Sequence, residues 1–246
     1  MSRAHLASLV VVTMGCREAD EGFDPDAGPD CPPPVMGDLR IDSLGFDAPP
    51  ALGNQIVEAL IESSDWLVVV ADGRFATGSS LARESRPGCV GFSFEGGTPA
   101  EGLARSDDAG FRVPADDTIA RLDLEIRSDT PGRLPLRDVT LEGEWRTGGT
   151  AAVGEIEAAL TVDDARLATF GIFSTLTFCG VVSGDHGSHY RTDDDCLNVL
   201  ACTVGEPTPD PAFDCANEDM PDRDVDGVPG WTIRGGFEAV PVEIID

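Results

Sequence analysis

The chain has 246 residues, with 45 acidic against 17 basic side chains and a formal net charge of -28 at pH 7. Each of those 17 is an arginine. This surplus of acid argues against DNA or RNA as partners, because their phosphates demand basic patches. It also argues against capture of anionic lipid headgroups by the folded part.

The N-terminus carries the most specific signal. Arg3 precedes an apolar run from Leu6 to Met14, and Gly15-Cys16 closes it before an abrupt change to Asp, Glu and Pro. This order is that of a secretory leader. The nine residues from Leu6 to Met14 fall well short of the roughly 20 that span a bilayer as a helix. Thr13-Met14-Gly15-Cys16 resembles the bacterial lipobox, with Thr13 and Met14 standing where Leu and a smaller residue are commoner. The expectation is a lipoprotein signal peptide over 1–16, cleaved before Cys16, which then takes the lipid; a plain secretory signal cut elsewhere is the alternative. Acyl chains contribute about 0.8 kcal/mol per buried CH₂ and supply the anchor that the short run lacks. Loss of 1–16 removes Arg3 and no acid, so -28 becomes -29. The expected location is the cell envelope, lipid-anchored to the outer membrane.

Residues 17–34 hold Glu18, Asp20, Glu21, Asp24, Asp26 and Asp30, end in Pro32-Pro33-Pro34, and contain little that is apolar besides Phe23. Such a stretch does not repay its ordering entropy and reads as a disordered tether, stiffened at its end. Residues 35–246 read as one β-rich domain. Leu39, Ile41 and Leu44 interleave with Arg40 and Asp42 in a half-buried strand pattern. Leu52, Ile56, Ala59 and Leu60 fall at helical spacing and predict a short helix over 51–61. Trp66 to Val70 reads as a central strand ended by an Asp72-Gly73 turn. Residues 76–88, rich in Gly, Ser, Arg and Pro, read as loop, and Cys89 to Phe94 as strand. Another polar loop runs through Asp107-Asp108.

The middle of the chain carries the clearest alternation: 119–126, then Val139 to Trp145, then Val153 to Val162. Short turn-like pieces separate these runs, which argues for antiparallel neighbours with one wet face. Asp163-Asp164 predicts a helical turn through Leu167. The stretch 172–182 fits a buried helix or a strand equally, and Thr192-Asp193 caps a predicted helix carrying Cys196, Leu197, Leu200 and Ala201. Trp231, Ile233, Gly235 and Phe237 alternate in a terminal strand of core quality, with a bulge expected near Glu238-Ala239. The fold class expected is mainly β: an antiparallel sandwich-like or half-barrel sheet with one to three short helices and a disulfide-stapled loop region.

Apart from Cys16, six cysteines remain: Cys31, Cys89, Cys179, Cys196, Cys202 and Cys215. An even number without a paired C-x-x-C spacing predicts three structural disulfides in an oxidising compartment, with 15 possible pairings left open. Four of the six fall within a Cys-rich insertion at about 179–229, and Cys31 is placed to clip down the end of the tether.

The lipobox-like start, the Asp/Pro tether with Cys31-Pro-Pro-Pro, Gly154-Glu155-Ile156-Glu157 leading to Asp163-Asp164, the cysteine-rich stretch, the Asp-rich run before Gly227 and the closing Trp231…Gly235-Gly236-Phe237-Glu238-Ala239-Val240-Pro241 together resemble the uncharacterised exported lipoproteins of myxobacteria and related deltaproteobacteria. The resemblance implies compartment and carries no activity.

Three constellations bear on chemistry. Asp222-Arg-Asp224-Val-Asp226-Gly227 has the alternating carboxylates and turn glycine of the first half of a Ca²⁺ loop. Its ninth and twelfth positions are Gly230 and Ile233, so the bidentate Glu is missing and a solvated acidic turn is the competing reading. His186 and His189, followed by Asp193-Asp194-Asp195, could hold a metal for hydrolysis, though Gly184 and Gly187 point to an exposed loop. No Gly-x-Ser-x-Gly elbow is present, and no Gly-rich loop has the lysine or the strand–helix context of a phosphate cradle. The function expected is a noncatalytic envelope lipoprotein, structural or ligand-binding. The alternatives are a metal-assisted hydrolase using 185–195 and a calcium-stabilised adhesion module.

Overall fold

Alternation in the sequence becomes pairing in space. The computed structural model describes residues 31, 33–53, 66–86, 89–95, 99–126, 132–146, 151–168, 178–182, 194–216 and 220–245. Its elements in chain order are β1 (Asp38–Ala48), a 3-10 turn (Pro50–Gly53), β2 (Trp66–Ala71), β3 (Arg74–Arg86), β4 (Cys89–Phe94), β5 (Ala100–Leu103), β6 (Arg105–Ser106), β7 (Gly110–Val113), β8 (Ile119–Ile126), β9 (Gly132–Trp145) and β10 (Ala152–Thr161), followed by α1 (Val162–Ala165), α2 (Phe178–Val182), α3 (Asp194–Val204), β11 (Arg223–Val225) and β12 (Val228–Pro241). The expected mainly-β class with a few short helices is what forms.

The ladder runs β4-β3-β2-β1-β12-β10-β9-β7-β6, and each pairing in it is antiparallel. β5 pairs with β3, and only Ala104 separates β5 from β6, so the path bends back toward its start. Among the described residues no continuous ladder seals that seam. Beside it, β8 pairs with β9 and meets β3 through one side chain. The Ser79 hydroxyl donates to Asp123 O (3.3 Å) and accepts from Glu125 N (2.9 Å), standing in for a backbone partner.

The inner face is apolar because the period-two pattern places it there. Trp231, Ile233, Phe237 and Ala239 of β12 are buried alongside Ala152, Ile156, Ala158 and Leu160 of β10 and Leu39, Ile41, Leu44 and Phe46 of β1. Two glycines make room for rings. A Cβ on Gly143 would lie 2.5 Å from the Phe111 ring, and one on Gly154 would lie 2.6 Å from Phe237 and 2.1 Å from Glu142 O. Phe111 in turn packs against Trp145 at 5.0 Å and Phe237 at 6.4 Å between centroids.

The sheet has two unlike ends. At one, β1 and β10 finish, β12 begins, and the three helices pack with the 3-10 turn, the Phe178 ring lying edge-on to Trp231 at 5.6 Å. At the other, β1 begins and β12 finishes. There the C-terminal segment pairs with β4, Glu243 O accepting from Phe92 N and Phe92 O from Ile245 N. A second small core of Leu67, Phe92 and Val242, flanked by Phe94, Val240 and Ile244, lies under that pairing.

Two local expectations change. Residues 76–86 do not form the expected loop: 74–86 is the longest strand on its side of the sheet, and 87–88 lie outside the described residues. Thr77 is buried with its hydroxyl satisfied, Oγ1 accepting from Trp66 Nε1 (2.7 Å) and donating to Leu67 O (2.8 Å). The bulge expected at Glu238-Ala239 lies instead on the partner strand, where the register slips between Ile41 and Ser43. Val240 then turns outward onto the second core. The predicted helix over 51–61 begins as the 3-10 turn at Pro50–Gly53; 54–61 lies outside the described residues.

Candidate functional site

Asp222, Asp224 and Asp226 sit on a tight hairpin. β11 pairs with the start of β12 through Arg223↔Gly230, Asp224↔Pro229 and Val225↔Val228, leaving Asp226-Gly227 as a two-residue turn. Both turn residues have positive φ, 55° and 84°. That is the primed turn whose twist matches a hairpin, and Asp-Gly favours it. The Asp72-Gly73 turn between β2 and β3 repeats it, with φ of 51° and 71°. Two of the three carboxylates have backbone work here: Asp224 Oδ1 accepts from Gly227 N (2.7 Å) and Asp222 Oδ1 from Thr232 N (2.7 Å). Among the described residues, no group of three or more His, Cys, Asp or Glu is placed to hold a metal ion. His186, His189 and Asp193 lie outside the described residues, as do Cys16 and most of the tether.

The six cysteines pair in chain order: Cys31–Cys89, Cys179–Cys196 and Cys202–Cys215. The Cα separations of 5.6, 5.2 and 5.4 Å lie within the bridging range. The first bridge spans 58 residues and ties the arm ahead of β1 to β4. The other two, spanning 17 and 13, staple α2 to α3 and the end of α3 to the loop beyond it.

A buried ion network fixes the helical end. Arg121 and Arg137 stand directly opposite each other on β8 and β9. Like charges so placed repel. Asp164 of α1, its side chain 5% exposed, lies between them, bonded to Arg137 Nε and to Arg121 Nη1 (3.3 Å). Thr161 completes the site: it caps α1 by accepting from Asp164 N (3.1 Å) and donates to Asp164 Oδ2 (2.9 Å). Burial alone would raise the Asp164 carboxyl; the bonds from Arg137 and Thr161 and the two positive charges outweigh it and hold the group below its usual range. The Arg137 guanidinium is raised chiefly by its bond to Asp164, and that of Arg121 chiefly by its bond to Asp123.

A broad concavity lined mostly by charged side chains lies on the outer face of the sheet, with a volume of about 980 Å³. Register explains its composition. Arg234 pairs with Glu157 and Glu157 with Thr140; in the next row Gly236 pairs with Glu155, Glu155 with Glu142, and Glu142 with Arg112. Three ion pairs cross it: Arg112–Glu142, Arg234–Glu157 (3.3 Å) and Arg223–Asp138 (3.2 Å). Asp47 and Glu155 lie in the same lining and form no ion pair among the described residues. The groove offers carboxylates, guanidiniums and the Thr118 and Thr140 hydroxyls, but its lining holds no Ser, Cys or His.

Sequence reasoning missed this groove. The outward-pointing Glu142, Glu144 and Glu157 were legible as a wet face; their alignment with Arg112 and Arg234 depends on register across four strands, which single-strand alternation does not contain. No family model matches the chain, and comparison with curated proteins and with solved structures returned no match.

Proposed function

We propose that the protein is a noncatalytic envelope lipoprotein, anchored through lipid on Cys16, whose oxidised β domain serves as a structural or ligand-binding module. The observation that carries this reading is the complete pairing of Cys31, Cys89, Cys179, Cys196, Cys202 and Cys215, with Cys16 alone outside the set. Disulfides persist in oxidising compartments outside the cytosol, and the seventh cysteine is the one that ends the lipobox-like run. The Cys31–Cys89 bridge also supports it, because a tether joined to a sheet needs a fixed point at its end. The outer-face groove is where a ligand-binding role would act, through polar contacts to a ligand carrying both positive charge and hydroxyl or amide groups.

Replacing Cys16→Ser tests the reading. The wild-type protein is expected to sediment with membranes, and the variant to appear in the soluble fraction or to accumulate unprocessed. A variant that stays membrane-bound and normally processed would overturn the anchor.

A further inference from the structure

We propose that the outer-face groove binds a linear polyamine, met in turn by Asp47, Glu155 and Glu144 along one diagonal of the sheet. This rests on the ligand-binding reading of the groove given above and narrows the ligand to its positive charge.

The groove extends beyond its first concavity. A second, of about 860 Å³, shares Arg112, Glu142 and Glu155 with it and continues across β9 to Trp145. Along the two, the guanidiniums are already matched: Arg112 to Glu142, Arg234 to Glu157, Arg223 to Asp138 and Arg105 to Asp116. Asp47, Glu155 and Glu144 are exposed in the same lining and form no ion pair among the described residues. The lining therefore presents unpaired negative charge to a ligand, and its positive charges are taken.

Register sets how the three carboxylates lie. Glu155 pairs with Gly236 and Gly236 with Gly45, two residues before Asp47; on its other side Glu155 pairs with Glu142, two residues before Glu144. Strands about 4.8 Å apart with a rise of about 3.3 Å per residue put the Cα atoms roughly 12 Å apart in the first step and roughly 8 Å in the second. Because β9 runs opposite to β1, the two steps continue one diagonal, roughly 20 Å in all. Metal–oxygen contacts of about 2.3–2.6 Å do not gather carboxylates so spread onto one ion. A methylene chain with ammonium groups along it meets them one after another. A peptide is a poorer match, because each residue brings a carbonyl acceptor and the guanidiniums are already engaged.

Gly236 keeps the lane open. The diagonal crosses β12 between Arg234 and Gly236. A Cβ on the neighbouring Gly235 would lie 2.0 Å from Gly45 O, so packing requires that glycine. On Gly236 a Cβ would meet nothing nearer than Gly154 O at 3.6 Å, and its φ is not positive. Glycine inside a strand weakens it and marks a place where a ligand or another backbone comes close. The fold makes no such demand at 236; a ligand in the groove does.

The test is titration calorimetry of the mature chain in detergent with spermine at near-physiological salt, where diffuse attraction beyond about 8 Å is screened. One spermine is expected per chain. Asp47→Asn, Glu144→Gln and Glu155→Gln combined should weaken binding by about tenfold or more. Asp72→Asn, Glu101→Gln and Glu206→Gln remove equal charge at exposed positions elsewhere and should leave it within about twofold. Gly236→Val changes no charge and should weaken binding severalfold with the thermal midpoint kept. Putrescine, too short to reach all three carboxylates, should bind about tenfold or more weakly than spermine. Equal weakening by the two triple variants, or displacement of spermine by magnesium at matched charge, would reduce the effect to screening of an acidic surface and overturn the site. Tighter binding of trilysine than of spermine, lost in the groove variant, would overturn the polyamine in favour of a basic peptide. Neither outcome touches the anchor, which the Cys16→Ser fractionation tests separately.

Discussion

Asp164 shows how much one residue decides. Without its carboxylate, Arg121 and Arg137 face each other across β8 and β9 with no negative charge between them, the Thr161 hydroxyl loses its acceptor, and α1 loses its ionic hold on the sheet. Asp164→Asn is expected to lower stability by about 2–3 kcal/mol, less than a fully buried pair because both arginines keep contact with water. The pH dependence has a definite sign. A carboxyl held below its usual value contributes stability above about pH 4, the unfolded value, and that contribution is lost as pH falls through the depressed folded value. The gap between wild type and variant should therefore narrow in urea titrations run from pH 6 toward about pH 2. A constant gap would mean the carboxylate is not charged in its site. Asp38 acts in the opposite sense: burial raises its carboxyl, so acid relieves a cost there.

The acidic run before β12 belongs to the same scale. Asp-Gly was legible as turn chemistry at both 72–73 and 226–227, but the alternating aspartates also fitted an ion loop, and sequence spacing does not say where a carboxylate points. The structure directs Asp222 and Asp224 at backbone amides. Asp224→Ala is expected to cost about 1 kcal/mol, the usual worth of such a bond. A thermal midpoint raised by millimolar calcium but less by magnesium, with the rise lost in Asp224→Asn combined with Asp226→Asn, would assign an ion to the run. An equal response to both ions leaves residues 222–227 as the turn into β12.

At the scale of elements, β8, β9, β10 and β12 were readable because each has one wet and one dry face. β3 was not. Its buried positions include Thr77, Gly78, Ser79 and Ser80, which carry no hydrophobic period; what makes them strand is hydrogen bonding supplied by β2 and β8. The number of disulfides was legible, and the pairing was not, since proximity belongs to the fold. Burial then ranks the bridges. Cys179 and Cys196 are both fully buried, whereas Cys215 is exposed and Cys202 half-buried. Thiol exchange needs access to sulfur, so mild reductant should open Cys202–Cys215 first and leave Cys179–Cys196 until the domain unfolds. Mass-mapped alkylation checks the order; early labelling of Cys179 would contradict the packing of α2 against α3.

At the scale of the whole molecule, the mainly-β class and the antiparallel curl followed from short connections and one-sided strands, while the polarity of the domain did not. Only the structure separates a helical, stapled end from an end where the N-terminal arm meets β4 through Cys31–Cys89 and the C-terminal segment meets it through Phe92. That clamp fixes the arm ahead of β1 to the sheet. By the chain-entropy account, closing 58 residues stabilises by about 4 kcal/mol, against about 3 for each of the two shorter loops.

The central claim is a lipid-anchored, fully oxidised envelope domain, and intact mass of the mature protein from isolated membranes tests it most directly. The mass should correspond to a chain beginning at Cys16, carrying acyl groups, and lower by six hydrogen atoms for three disulfides. A mature chain that begins elsewhere without acyl mass, or one whose six other cysteines are reduced, would contradict it.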